Sequence, residues 1–215
     1  MLTLVIDTST SAVQAALVDV TASGVATIAE KRLVDRHGHV ENLTPMVQEA
    51  LAEAGREPAD LEAVVAGVGP GPFTGLRVGM VTAAATAFAR GIPVYGVCSL
   101  DGIGRMTSGD TLVAADARRK EVYWAEYRDG RRVGDPDVAK PADLPELKAV
   151  QAAGEGAELY ADQIGLPVVA DTAYPVTAAL AEAASERILS GAPTEQMTPL
   201  YLRRPDAKLL SEQKR

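Results

Sequence analysis

Hydrophobic and polar positions fall in short blocks over the first hundred residues, and then the pattern begins again. Leu2 to Ile6 is an apolar run that ends on Asp7-Thr8-Ser9-Thr10-Ser11. Val13 to Val20 and Gly24 to Leu33 have strand patterns, and the short links between the three runs predict an antiparallel meander. Val40 to Ala54 places Leu43, Val47, Ala50, Leu51 and Ala54 at helical spacing, with Gly55 as its stop and Pro45 in the first turns, where proline is tolerated. Leu61 to Val68 is a strand, Thr74 to Ala89 a helix stopped by Gly91 and Pro93, and Val94 to Val97 a strand. This order predicts a right-handed crossover and parallel pairing at the core. Cys98 to Gly102 begins a short helix.

From about Gly109 the pattern restarts. Thr111 to Ala115 is a strand ending on Asp116-Ala-Arg-Arg-Lys120, Glu121 to Tyr127 alternates, and Asp129-Gly130 turns a hairpin towards Arg131–Val133. The echo of the N-terminal pattern predicts a weak internal repeat and a second lobe. Pro136 to Pro145 reads as a loop, Ala149–Ala153 and Val168-Val169 as short strands, Val176 to Ser190 as a helix, and Leu200–Leu202 as a last extended piece. The expected division is 1–108 for an N-terminal lobe, 109–202 for a smaller C-terminal lobe, and 203–215 for a flexible tail. The expected class is α/β, with mixed sheets flanked by helices.

Two stretches stand out. Gly67-Val-Gly-Pro-Gly-Pro-Phe-Thr-Gly-Leu-Arg-Val-Gly79 joins a buried strand to a helix, and its glycines and prolines leave the backbone few conformations. Such a loop suits either a tight turn or an anion at the helix N-terminus. It is not a Walker A loop, because no Gly-Lys-Ser/Thr closes it. The helix that follows is apolar or small nearly all round, with Val78, Val81, Thr82, Ala85, Thr86 and Phe88 beside Gly79, Ala83, Ala84 and Ala87. A helix of this kind is buried in its own fold or packed on a partner.

Composition narrows the function classes. The net charge is −8, which argues against gripping a nucleic-acid backbone unaided, so any nucleic acid is expected to be reached only indirectly, through a partner that carries the basic surface. Aromatics are only 4%, so the core rests on Val, Leu, Ile and Ala. A single cysteine, Cys98, allows no internal disulfide and fits a reducing cytosol. The N-terminus lacks a basic region and long apolar core, and no stretch is long enough to span a bilayer, so a cytoplasmic protein is expected.

The chemistry is sparse. There is no Gly-x-Ser-x-Gly and no His-Glu-x-x-His. His37 and Glu41 have a tolerable metal-ligand spacing, but two residues do not complete a site. What remains is an aspartate in each of two matching turns, with Asp7 and Thr8 in one, Asp116 and Arg118 in the other, as candidate nucleotide contacts. The second turn is a poor copy: Ala117, Arg118 and Arg119 stand where close approach to phosphate favours glycine.

Ile6-Asp-Thr-Ser-Thr10, Gly69-Pro-Gly-Pro-Phe-Thr-Gly-Leu-Arg-Val-Gly79, Asp116-Ala-Arg-Arg-Lys-Glu-Val-Tyr123, Pro199-Leu-Tyr-Leu-Arg203 and Arg36-His-Gly-His-Val-Glu-Asn-Leu43 resemble, in order, the bacterial TsaB (YeaZ) family. The resemblance implies two actin-like, RNase H-like lobes and a dimerisation subunit without catalysis of its own. It would serve the machinery that makes N6-threonylcarbamoyladenosine in tRNAs reading A-starting codons. The implied partners are a TsaD-type catalytic paralogue and a TsaE-type ATPase, with a homodimer in the paralogue's absence and ATP or ADP at the subunit interface or on partners. The paralogue holds a metal through His-x-x-x-His. In the same frame this chain has Gly96-Val97-Cys98-Ser99-Leu100-Asp101-Gly102-Ile103, with Ser99 and Ile103 at the ligand positions. The resemblance also implies that the two helices of the first lobe pack on the paralogue's pair, through Leu43, Val47, Leu51, Val78, Val81, Ala84, Ala85 and Phe88. The alternatives are an autonomous actin-like ATPase or kinase, which requires Mg-ATP binding by the isolated chain, and a metallopeptidase, which requires bound zinc.

Overall fold

In the computed structural model, which describes residues 1–35 and 38–203, the N-terminal apolar run is the middle of a five-stranded sheet. Strand β1 (Leu2–Asp7) pairs antiparallel with β2 (Ala12–Thr21) and parallel with β4 (Ala63–Gly67). The edges are β3 (Gly24–Val34), antiparallel to β2, and β5 (Val94–Val97), parallel to β4. Strands β1 and β4 are apolar without alternation because both faces of the sheet are covered. On one face Leu4, Ile6, Val13, Leu17 and Val64 pack against Leu43, Met46 and Leu51 of α1 (His39–Glu53) and Ala83 and Ala87 of α2 (Phe73–Arg90). On the other, Val5, Val18, Val65 and Tyr95 meet Leu180, Ala184 and Ile188 of a C-terminal helix, Thr177–Leu189.

After β5 a single helical turn, α3 (Asp101–Gly104), leads to a second sheet of order β8-β7-β6-β9. Its strands are β6 (Asp110–Asp116), β7 (Val122–Arg128), β8 (Arg131–Ala139) and β9 (Gln151–Ala153), with β9 parallel to β6. Asp101 ties α3 to this sheet: its Oδ1 accepts from the Tyr127 hydroxyl at 2.7 Å and from Arg132 Nε at 2.9 Å. Two short helices follow, α4 (Glu155–Leu159) and α5 (Ala161–Ile164), and then α6, the Thr177–Leu189 helix already placed on the first sheet.

Several expectations change. The loop expected from Pro136 starts later, because β8 continues to Ala139. Helices α4 and α5 lie where no helix was expected. Val168 forms an isolated bridge to Ala152, and Leu200–Leu202 forms no strand, although the Leu200 N–H donates to the Val68 carbonyl at 2.8 Å. The second sheet begins at Asp110, but α6 returns to the first, so the unit built on the second sheet does not run unbroken to residue 202. Residues 204–215 of the expected tail lie outside the described residues; Arg203 is described, and its guanidinium donates to Glu121.

The α3–β7 contact leaves no room for a side chain at Gly104, where an added Cβ would enter the Tyr127 ring that Asp101 holds in place. Gly104→Ala is expected to cost about 1–3 kcal/mol. It should appear in urea unfolding as a lower midpoint with an unchanged slope.

Candidate functional site

Strands β1, β4 and β5 run parallel, so their carboxyl ends, Asp7, Gly67 and Val97, lie on one side of the sheet, where open α/β sheets place ligands. Here that place is filled from within. Asp7 is fully buried. Its Oδ1 accepts from the Ser9 N–H at 3.0 Å and the Ser9 hydroxyl at 2.7 Å, and its Oδ2 accepts from the Ser99 hydroxyl at 2.6 Å. Ser99 is fixed in turn: its N–H donates to the Gly69 carbonyl at 2.7 Å, and the Gly69 N–H donates to its Oγ at 3.2 Å. Gly67 can carry no side chain, because Asp7 Oδ2 and Ser99 Oγ occupy the space. Burial pushes the Asp7 carboxyl above its ordinary value, against the smaller opposing pull of the hydrogen bonds from Ser99 and Ser9.

Thr8 clamps α2 onto this turn. Its hydroxyl donates to the Gly75 carbonyl at 2.7 Å and accepts from the Gly79 N–H at 3.0 Å. Gly71 lies against the Ser9 carbonyl, and the Gly69–Pro70 peptide is cis. The Gly/Pro loop is therefore packed onto the Asp7 turn.

The second turn is built differently. Asp116 Oδ1 accepts from the Arg118 N–H at 2.9 Å, and Oδ2 lies 3.9 Å from Arg118 Nε. Arg118, Arg119 and Lys120 are all left-handed, with φ of 63°, 56° and 62°. That conformation costs roughly 1–2 kcal/mol for each residue with a Cβ. It is held by the Glu121 N–H on the Arg118 carbonyl and the Ala117 N–H on the Glu121 carbonyl, both at 3.0 Å. Arg118 lines a cleft of about 210 Å³ together with Thr10, His39, Val40, Pro72, Thr74 and Gly75. The two turns thus meet through Thr10 and Arg118, while Asp7 and Thr8 serve the interior.

His39 is buried, with Nε2 2.9 Å from the Thr10 carbonyl oxygen; His37 lies outside the described residues, so its pairing with Glu41 is not described. Among the described residues no three His, Cys, Asp or Glu side chains converge as metal ligands. The pair Ser99 and Ile103 does not fit a metal either: the Ser99 hydroxyl is spent on Asp7, and Ile103 sits in the core beside Leu100, Tyr123 and Tyr127. The neighbouring Cys98 thiol is pushed up to about 12, first by burial and then by the Asp101 charge.

The expected interface residues divide. Leu43 and Leu51 lie in the core under α1, and Val47 and Val78 pack against it, so these four form the sheet-facing sides of the helices. Helical spacing finds an apolar face but does not say which partner covers it. On α2 the inward residues are Leu76, Gly79, Met80, Ala83 and Ala87. The outer face carries Val81 (66% exposed), the half-buried Ala84, the exposed Ala85, and Phe88 (90% exposed). Val40 at the start of α1 is also exposed and had not been singled out, nor had Phe73 and Tyr201, whose exposed rings stack. Their contact joins the start of α2 to the C-terminal segment, a pairing that no local pattern announces.

The family profile described as "TsaD: tRNA N6-adenosine threonylcarbamoyltransferase" matches residues 27–208. An uncharacterized protein of Mycobacterium leprae is 52% identical over 95% of this chain, which spans 55% of that relative's length. The tRNA threonylcarbamoyladenosine biosynthesis protein TsaB of Escherichia coli is 36% identical over 51% of this chain and 50% of its own. The crystal structure of a Pseudomonas aeruginosa protein described as similar to peptidase YeaZ superposes with a TM-score of 0.79, at 29% identity, covering 94% of this chain and 99% of the other.

Burial of Asp7 carries a pH signature. A carboxyl whose folded-state pKa is raised contributes stability at low pH that is lost as pH rises from the ordinary 3.8 through the raised value. Asp7→Asn keeps the shape and removes the titration. In urea unfolding across that window, the stability of wild type should fall relative to the variant as pH increases; a constant difference would contradict the raised pKa.

Proposed function

The chain belongs to the TsaB (YeaZ) family of tRNA threonylcarbamoyladenosine biosynthesis proteins, with the actin-like fold of that family, and on this premise we propose that it is a non-catalytic dimerisation subunit that binds and activates a TsaD-type catalytic paralogue. The observation that carries the reading is the internal saturation of Asp7 by Ser9 and Ser99. Asp7 is a structural tie here, and its tie partner Ser99 stands in a position where the paralogue is expected to hold a metal-binding histidine. A residue locked in this way is not free to move a proton or to orient a phosphate at the strand ends.

The docking surface is the outer face of α2. Val81, Ala84, Ala85 and Phe88 follow helical spacing, and an apolar stripe of this kind, left in water, suits a second helix pair. The small residues Ala84 and Ala85 allow close approach, and Phe88 supplies the anchor. The same stripe serves a homodimer when the paralogue is absent. A TsaE-type ATPase completes the cytoplasmic assembly, and ATP or ADP belongs to the subunit boundary or the partners.

The reading as an autonomous ATPase has Asp7 against it, since that carboxylate faces the protein interior. The metallopeptidase reading has Ser99 and Ile103 against it: the Ser99 hydroxyl is hydrogen-bonded to Asp7 and Ile103 lies in the core, so neither position offers a zinc ligand.

Size-exclusion chromatography with the paralogue from the same organism tests the interface. Phe88→Asp and Ala85→Arg are expected to abolish co-elution while the circular dichroism spectrum is unchanged and the unfolding free energy stays within about 0.5 kcal/mol of wild type, as for exposed sites. Ala87→Arg, by contrast, should unfold the chain, because Ala87 is buried against the sheet. Co-elution of the Phe88 and Ala85 variants would place the interface elsewhere.

A further inference from the structure

The chain is acidic as a whole, yet one end of it gathers cations around exposed rings. The protein has two phenylalanines, and both are exposed: Phe88 on the α2 stripe and Phe73 at the start of the same helix. Phe73 stacks on Tyr201, with ring centroids 5.1 Å apart and planes 26° from parallel. The rings remain 51% and 40% exposed. Arg77, one turn along α2, lies over the Phe73 ring at 4.0 Å and donates from Nε to the Tyr201 hydroxyl at 2.9 Å. Arg203, two residues after Tyr201, donates to the Arg118 carbonyl at 3.5 Å, which joins this platform to the left-handed Arg118-Arg119-Lys120 turn. Arg118 also lines the cleft shared with Pro72 and Thr74, the neighbours of Phe73. Asp116 lies beside Arg118 and Glu121 on Arg203, and they offset part of the charge that Arg77, Arg118, Arg119, Lys120 and Arg203 bring to this end.

Rings held at the surface by a guanidinium and bordered by further cations match what single-stranded RNA requires. Unpaired bases stack on exposed aromatic faces without regard to sequence, and the phosphates meet Arg and Lys. An apolar partner would leave the cations unexplained, and an acidic peptide would leave the stacked rings unexplained. We propose that the Phe73–Tyr201 platform, with Arg77, Arg118, Lys120 and Arg203, is a direct contact for single-stranded RNA. Resting on the reading of a tRNA-modification subunit, its occupant is an unpaired loop of the tRNA. The expectation of indirect contact came from the net charge, but binding reads the local arrangement of charge, which the total does not describe.

Fluorescence anisotropy of the full chain with a fluorescein-labelled RNA hairpin bearing an unpaired loop tests this, with a fully paired RNA duplex as the comparison. The hairpin is expected to bind more tightly than the duplex. Tyr201→Ala should weaken it about tenfold while Tyr201→Phe retains it, and Lys120→Gln should lower the slope of log affinity against log salt by about 0.7. Equal affinity for duplex and hairpin, or wild-type binding by Tyr201→Ala, would overturn the proposal. As a check that needs no variant, a hairpin with 4-thiouridine in the loop should photo-crosslink to peptides containing Phe73 or Tyr201; crosslinks confined elsewhere would also overturn it. A chain that co-elutes with the paralogue but fails these tests loses the RNA contact alone. One that passes them without co-eluting keeps the RNA contact and loses the subunit reading.

Discussion

A carboxylate with nowhere to go but inward organises this molecule. Asp7 ends the central strand, is cut off from solvent, and is held by Ser9 from its own turn and Ser99 from the segment after β5. An unpaired buried charge would cost several kcal/mol, so the surrounding residues are constrained to satisfy it. Gly67 must lack a side chain, Ser99 must be oriented by Gly69, and the loop from Gly69 to Pro72 must close over the turn. Thr8 then sets where α2 begins, by bonding the Gly75 and Gly79 backbones. The long Gly/Pro motif is thus a packing solution around one acidic residue.

The position of α2 has consequences at both of its ends. Its inward residues are spent on the sheet, so its outer stripe of Val81, Ala84, Ala85 and Phe88 is left to face water or a partner. Its first turn projects Phe73 and Arg77 beside the C-terminal segment and near the cationic turn after β6. One helix, fixed by a buried aspartate, presents an apolar face suited to protein and an aromatic-cationic end suited to RNA.

Much of the fold was legible in the chain. The apolar run Leu2–Ile6, the meander after it and the strand–loop–helix around Gly67–Gly79 announce the first sheet, because a strand covered on both faces and a helix stopped by glycine and proline leave plain patterns. Asp7 and Thr8 were legible as special residues, but their inward role was not, since it depends on Ser99 from a distant segment. Leu43 and Leu51 illustrate a limit of periodicity: the same spacing serves a core and an interface, and only packing against Leu4 and Leu17 decides between them. The left-handed turn at Arg118–Lys120 carries no glycine to signal it, and α6 crosses back to the first sheet without a local cue.

The central claim, that this chain is required for threonylcarbamoyladenosine formation without performing the transfer, is tested most directly by mass spectrometry of nucleosides from bulk tRNA after the protein is depleted in its own cells. The account predicts loss of threonylcarbamoyladenosine on depletion, its return on expression of wild type, and its equal return with Cys98→Ala, which removes a thiol that the mechanism does not use. Unchanged modification after depletion would contradict it.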